Sequence, residues 1–352
     1  MPDWTASMQQ TFEYYIVDPL TWQDKEQLTV VKTSTVNRDS TVETLGSATI
    51  DVTESVGECY VRIYLVTIQN GVRERHPLTT VLVQTPSSGF DGRNNNNSMD
   101  GYTPLIELKE NPPPIGHYVG KGTIVADEAY RLARENMRPP VVKPTSSMSL
   151  EYDFVADTSD TWLSYLSALL ASASYLFDLD DMGRVIFAPS QDNASLQPVW
   201  TYTDDNSSIL YPEITLDHDL YGIPNAVEVI YFDGVNHYHS KVVNDNENSP
   251  ISTVNRGREI LYRVTSPDLP GVPTQAQIDA YAEQVLRNLS SIEYTITYTH
   301  GYCPVRIRDC VMLNYAKAGL HNVKAKVISQ SIKCEPGCPV TETAVFTKNL
   351  WG

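Results

Sequence analysis

The feature that most constrains this chain is a match of its sequence to itself. Displaced by 262 residues, the segment 57–85 aligns without gaps on 319–347. Gly57 falls on Gly319, Val61 on Val323 and Arg62 on Lys324. Leu65-Val66-Thr67 then falls on Val327-Ile328-Ser329, Pro77-Leu78-Thr79 on Pro339-Val340-Thr341, and Val83 and Thr85 on Val345 and Thr347. Both copies read as strand, proline-closed loop, strand. Shared β composition is the other source of such a match. A duplication predicts two similar β units, one towards each end of the sequence.

The organisation along the chain is consistent with that expectation. Segments 11–17, 28–35, 47–53, 60–68 and 78–84 are rich in Val, Ile, Thr and Tyr and are separated by turn residues such as Asn70-Gly71, the pattern of a small sandwich or barrel. The run Ser87-Ser88-Gly89, Asp91-Gly92-Arg93 and 94–97 cannot bury apolar area and predicts an exposed loop. With Asn111-Pro112-Pro113-Pro114 it places a domain boundary between about Pro86 and Pro114. Helices are expected only beyond it. One spans 124–137. A second spans 159–177, where Trp162, Tyr165, Leu166, Leu169, Leu170 and Ala173 form one apolar stripe. A third starts at Thr274, whose hydroxyl and Gln277 make a capping box and whose buried face is Ile278, Tyr281, Ala282, Val285, Leu286 and Leu289. Hairpins are expected at 175–179/184–188 around Asp181-Met182-Gly183, and at 226–232/236–243 around Asp233-Gly234. Strands return at 311–315, 323–332 and 340–348.

The expected fold class is therefore α+β, mainly β: two similar small β-barrel domains with an inserted helical/β domain. The corresponding division is 1–110 for the first barrel, 111–216 plus 245–300 for the α+β insertion, and 217–244 plus 301–352 for the second barrel.

Charge narrows the function classes. The 352 residues carry 26 Lys+Arg against 43 Asp+Glu, a net −17, which argues against a nucleic-acid binder because phosphate neutralisation needs a basic face. The most apolar run, 162–177, is shorter than the ~20 residues that span a bilayer and is broken by serines, so no membrane insertion is expected. Met1-Pro2-Asp3-Trp4 has neither a basic nor an apolar leader region, so a signal peptide is not expected. Cys59, Cys303, Cys310, Cys334 and Cys338 are odd in number and sparse, which suits a reducing compartment.

Each chemical motif weighs towards a structural role. Cys334/Cys338 bracket the turn Glu335-Pro336-Gly337 without the two further ligands that zinc needs. Gly116-His117-Tyr118-Val119-Gly120-Lys121-Gly122-Thr123 resembles a phosphate loop but has the wrong glycine spacing, with Gly122 where Ser or Thr would hold magnesium. Asp178, Asp180, Asp181 and Gly183 resemble the start of a calcium loop, yet Met182 and Pro189 stand where ligands belong. His237 and His239 share one strand face but lack a third ligand unless Asp217-His218-Asp219 supplies it. The sequons at Asn193, Asn206 and Asn288 carry meaning only on a secretory route. The sequence has no G-x-S-x-G, H-E-x-x-H or G-x-G-x-x-G pattern.

Several segments together match a known layout. An N-terminal set of short strands precedes the acidic-capped helix Asp157-Thr158-Ser159-Asp160-Thr161-Trp162-Leu163. Next come the hairpin Tyr175-Leu176-Phe177-Asp178…Gly183-Arg184-Val185, the strand Asn225-Ala226-Val227-Glu228-Val229, and Pro304-Val305-Arg306-Ile307-Arg308-Asp309-Cys310-Val311 before the last strands. Across nearly the whole chain this resembles the baseplate hub protein family of contractile bacteriophage tails, which is related to the base of type VI secretion spike proteins. The departure is Ile307-Arg308-Asp309, where such proteins often carry a Pro-Gly-Asp turn.

The resemblance implies a structural virion protein with no catalytic, cofactor-binding or metal-binding residue and no cofactor. It implies a homotrimer, a pseudo-sixfold ring that joins the tail tube protein to the central spike protein. The insertion domain would be placed to meet baseplate wedge proteins, and the tape measure protein and DNA would pass through. Three copies at −17 each would make an acidic channel that DNA crosses without being trapped. The implied location is the virion tail baseplate, after assembly in the host cytoplasm. The alternatives are a distal-tail hub of a non-contractile phage, and a carbohydrate-binding or hydrolysing β module that stacks sugars on its tyrosines and tryptophans.

Overall fold

Runs of β-branched and aromatic residues make most of the first hundred residues a ladder: β1 (Gln9–Val17), β2 (Asp24–Gln27), β3 (Val31–Asp39), β4 (Gly46–Val52), β5 (Cys59–Gln69), β6 (Val72–Phe90) and β7 (Asn95–Tyr102). The computed structural model describes residues 2–351 other than 55, 91, 93–94, 206, 233, 266 and 268–272. Asn70 and Gly71, at φ 52° and 78°, form the two-residue turn between β5 and β6, where two left-handed residues match the twist of the paired strands. β5 is buried on both faces from Tyr60 to Thr67, so its sequence reads as a near-continuous apolar run.

The polar run 87–97 differs from its sequence expectation. Ser87 pairs with Ser98, Ser88 with Asn97 and Phe90 with Asn95, while β7 also pairs with β4. Backbone N–H and C=O groups bond in a ladder whatever side chains they carry, so Ser87–Phe90 and Asn95–Ser98 pair as strands. Asp91, Arg93 and Asn94 lie outside the described residues.

The middle of the chain holds α1 (Ile106–Glu110), β8 (Tyr118–Val119), α2 (Val125–Asn136), β9 (Phe154–Val155), α3 (Trp162–Ala171), β10 (Tyr175–Leu179), β11 (Val185–Pro189), β12 (Pro198–Thr203) and β13 (Leu210–His218). α3 begins after Thr161, whose side chain accepts from Ser164 N in a capping box. The helix ends at Ala171, short of the expected 177, because Ser174 turns to φ 58° and Tyr175–Leu179 are taken by the ladder with β11. Its apolar stripe is buried as expected, from Trp162 to Ala173.

The remaining elements are β14 (Ala226–Phe232), β15 (His237–Val243), α4 (Thr253–Arg256), β16 (Leu261–Val264), α5 (Gln275–Leu289), β17 (Ser291–Gly301), β18 (Cys310–Tyr315), β19 (Leu320–Lys333) and β20 (Pro339–Asn349). The largest sheet runs β13-β17-β20-β19-β3-β4-β7-β6-β5-β1-β2, with β12 and β18 joined beside β19. The early and late β segments are thus one sheet, stitched where Thr35–Asp39 of β3 pair antiparallel with Ser329–Lys333 of β19. The two halves of the sequence repeat are the hairpins β5–β6 and β19–β20. Val61 pairs with Ile16 and Val81, and Val323 pairs with Leu313. Each therefore lies in an inner strand of this sheet.

The chain divides into two compact units, 1–214 with 297–344 and 215–296 with 345–352. This differs from the three-part sequence division. Segment 111–214 stays with the first unit. The 226–243 hairpin does not join the late strands; it forms the sheet β15-β14-β16, since β16 takes the free edge of β14 in parallel register and α5 covers its apolar side. Val227, Val229, Ile278, Ala282 and Leu286 make that core. Thr274 caps α5 through the expected box with Gln277. A cap is worth about 1 kcal/mol and each large buried aliphatic about 2, so burial decides where the helix lies. Asp233 of the expected turn lies outside the described residues.

Candidate functional site

Tight turns expose backbone carbonyls, and the turn between β10 and β11 places one of them under three donors. The Met182 carbonyl accepts from Trp22 Nε1 at 2.8 Å, Thr80 Oγ1 at 3.0 Å and Arg62 Nη2 at 3.2 Å. Arg62, inside β5, is 1% exposed; its Nε donates to Thr80 Oγ1 at 2.9 Å and its Nη1 to Asp24 Oδ1 at 2.7 Å. One position earlier, Asp181 Oδ1 accepts from Arg38 Nη2 at 3.2 Å and pairs with Arg306 Nη1 at 3.0 Å. Arg306 and Arg308 also donate to the carbonyls of Leu179 and Phe177. Two of the segments that carried the family resemblance, the 175–185 hairpin and 304–311, therefore meet in one junction.

That junction accounts for the calcium-like acidic run. Asp180 accepts from Met182 N at 3.0 Å and Arg184 N at 2.8 Å. Asp181 is held by two arginines, and Asp178 sits 3.9 Å from Arg308 Nη1. These carboxylates are partnered by cations and amides from the chain itself, and Gly183 closes the turn at φ 74°. A Cβ there would stand 2.6 Å from Thr80 Cβ.

A second polar cluster threads β12, β17, β19 and β20. Glu342 accepts from the Tyr298 hydroxyl and from Gln330 Nε2 at 2.7 Å; His300 Nε2 lies 3.4 Å away. The His300 Nδ1–H donates to the Gly301 carbonyl at 2.7 Å. Gln330 reaches the first junction, accepting from Arg38 Nη1 at 3.2 Å. Burial opposes a charge on His300, but hydrogen bonds with Cys303 and Glu342 and the carboxylate's field outweigh it and raise its pKa to about 10. Burial pushes the Tyr298 and Tyr202 hydroxyls well above the usual range. Cys303 Sγ is 3.9 Å from His300 Nδ1, so the residue types of a thiol nucleophile and its base are present. His300 and Glu342 are both 0% exposed, so the cluster is closed off from solvent and links four strands.

The other motifs singled out by sequence are placed as follows. In 116–123, Lys121 N donates to Asp153 Oδ1 at 2.8 Å and Gly122 N to the Leu150 carbonyl at 2.9 Å, so these amides already have acceptors. His239 Nε2 is 2.9 Å from Glu228 Oε1, His237 stacks on Phe232 at 4.3 Å and His218 on Tyr294 at 4.6 Å. Among the described residues no three of His, Cys, Asp and Glu gather as a metal set. Cys334 and Cys338 are buried free thiols, and burial pushes the Cys334 thiol up to about 11. Asn193 Nδ2 donates to the Lys324 carbonyl at 3.2 Å, Asn288 is exposed on α5, and Asn206 lies outside the described residues. No helix among those residues is long and apolar enough to cross a membrane.

No family model matches the sequence, and no curated protein matches it. Solved structures do. A tail protein from Neisseria meningitidis MC58 superposes with a TM-score of 0.60 at 13% identity, covering 97% of this chain and 98% of that one. The 43 kDa tail protein of prophage MuSo2 from Shewanella oneidensis gives 0.59 at 9% identity, over 95% and 98%. A chain of the Francisella PdpA–VgrG complex gives 0.56 at 9% identity, over 96% of this chain and 58% of that one. The chain shares the fold of the two tail proteins over 97% and 95% of its length.

Two substitutions test the site. Gly183→Ala meets both a left-handed φ and Thr80, and is expected to cost about 3 kcal/mol of unfolding free energy, against about 1 for Gly234→Ala, whose left-handed turn opens on free space. Urea titration measures both; equal costs would contradict the packed turn. Glu342→Gln is expected to cost about 3 kcal/mol below pH 6.5 by leaving His300 without its counter-charge. Because the folded value of His300 is raised, its contribution is complete below 6.5 and fades as pH rises through about 10. The difference between wild type and variant should therefore shrink over that interval, and a constant difference would contradict the pair.

Proposed function

We propose that this chain is a structural tail-baseplate hub protein that forms a homotrimeric, pseudo-sixfold ring between the tail tube and the central spike. The observation that carries the reading is the shared fold along nearly the whole length of two tail proteins, 97% and 95% of this chain. The hairpins β5–β6 and β19–β20 support the symmetry argument. Two like strand pairs per chain supply six similar positions from three molecules, which reconciles a sixfold tube with a threefold spike. The work is done by strand edges and faces and no catalytic step is assigned.

The charge fits a conduit. Each chain carries −17, and acidic residues lining the lumen repel a passing nucleic acid, so the tape measure protein and DNA move through without being held. Wedge proteins meet the ring on segment 111–214, where Ile115, Tyr118, Tyr152 and Val155 are exposed side chains. The site of action is the virion tail, after assembly in the host cytoplasm.

The mass of the purified full-length chain in solution tests the reading. Light scattering is expected to return three chains at the concentrations where the ring is stable. A species that stays monomeric or dimeric on concentration would overturn it.

A further inference from the structure

A buried imidazole nitrogen without a partner tolerates a lone pair better than an added proton, because the charged ring carries the larger desolvation cost. His117 has such a nitrogen. It lies just before β8, in the segment that links α1 to α2, and its Nε2 is closed to solvent and meets no hydrogen-bond partner among the described residues. The ring stands edge-on to Trp162 at 4.9 Å and to Tyr165 at 5.3 Å, two residues of α3 that are 6% and 1% exposed. The backbone is held on both sides. His117 N donates to the Pro114 carbonyl at 2.9 Å, and Ala156 N donates to the His117 carbonyl at 2.9 Å. Directly after it, Tyr118 pairs with Val155 and Val119 with Phe154 in the β8–β9 ladder. The imidazole therefore packs the start of this short ladder against α3.

The polar and charged groups around the ring give Nε2 no acceptor. From α2 come Glu128 and Arg131, and both oxygens of Glu128 already accept from Arg131, at 2.6 and 3.1 Å. From α3 comes the Tyr165 hydroxyl, which donates to the Phe154 carbonyl of β9 at 2.9 Å. Asp160, just before α3, accepts from Ser164 Oγ at 2.9 Å and from Asp157 N at 2.8 Å. Burial lowers the pKa of His117; the field of Glu128 opposes that shift and the field of Arg131 adds to it.

The geometry points to an acid-sensitive latch: a neutral His117 holds segment 114–123 and β9 against α3, and a proton at Nε2 releases them. Because Nε2 is closed off, the proton is taken up in an opened form, whose imidazole titrates near its ordinary 6.5, and mass action then favours that form. The value in the closed form is the lower one, so the latch contributes fully above 6.5 and is lost as pH falls through the closed-form value. The latch goes beyond the ring proposed above and does not rest on it. It does bear on the surface assigned there to wedge proteins, since Ile115 and Tyr118, 97% and 62% exposed, belong to the released segment.

Amide hydrogen exchange of the purified full-length chain, read as protection factors at about pH 7 and about pH 5, tests the latch. Peptides covering 115–120 and 153–157 are expected to lose about fivefold more protection than those of α5 and β5. His117→Phe keeps a ring in place and cannot take up a proton, so it is expected to hold its protection over the same interval. Where that variant fails to fold, the wild-type pattern decides alone: a loss confined to these two segments supports the latch. A loss of equal size in α5 and β5, no loss at all, or the same loss in a folded His117→Phe overturns it. A His117 ring that titrates at or above 6.5 by NMR overturns it as well.

Discussion

The burial of arginine around one carbonyl and one carboxylate organises this protein's larger unit. A guanidinium taken out of water must be fully hydrogen-bonded or it destabilises the fold by several kcal/mol. Arg62 is 1% exposed and meets that condition only with partners from Trp22, Asp24, Thr80 and Met182. Arg38 is met by Leu78, Asp181 and Gln330. The partners come from residues far apart in the chain, so the strand ladder and the β10–β11 turn must both be in place before the two cations are satisfied. A wrong register leaves a buried charge unpaired. This is how a mainly antiparallel sheet, which tolerates slippage wherever its faces are not distinguished, is held to one arrangement.

The same constraint explains what could be read from the sequence. Elements whose information is local were legible. The Thr274 box opens α5, Asn70-Gly71 makes the β5–β6 turn, and the stripe from Trp162 to Ala173 is buried. The hairpins at 175–189 and 226–243 fall within a residue of their expected bounds. The helix at 159–177 was over-extended because its last residues are apolar for a different reason, as a strand against β11. β7 was missed because Asn, Ser and Asp carry no strand signal of their own; it exists through its neighbours β4 and β6. β17 is legible in the sequence, since Ile292, Tyr294, Ile296, Tyr298 and His300 alternate inward, a period of two within the segment expected as an insertion, 245–300.

The site was legible in position and not in purpose. The acidic run 178–183 and the 304–309 segment both stand out by composition, yet the arginines that join them are up to 143 residues from the turn in sequence, and nothing local announces that pairing. Arg62 and Glu342 carried the signal that could have found the junction: each is a lone charge at an inward position of an otherwise apolar or small-residue strand, and such a charge needs a partner from elsewhere. Departure from a Pro-Gly-Asp turn at 307–309 also gains a physical reason, because Arg308, at φ 71°, uses that strained position to reach the Phe177 carbonyl.

The two like hairpins are where the fold meets the proposed function. β5–β6 and β19–β20 lie in one continuous sheet, joined through β3 and β19 and braced by the arginine junction, so their mutual position is fixed by the chain before any partner arrives. In the proposed ring this rigidity lets three molecules mimic six. An averaged electron-microscopy map of the isolated assembly tests that claim most directly. The account predicts a threefold ring in which the 59–90 and 320–349 hairpins alternate at matching radius, close to sixfold spacing; hairpins at unrelated radii or heights, or an assembly without a threefold axis, would contradict it.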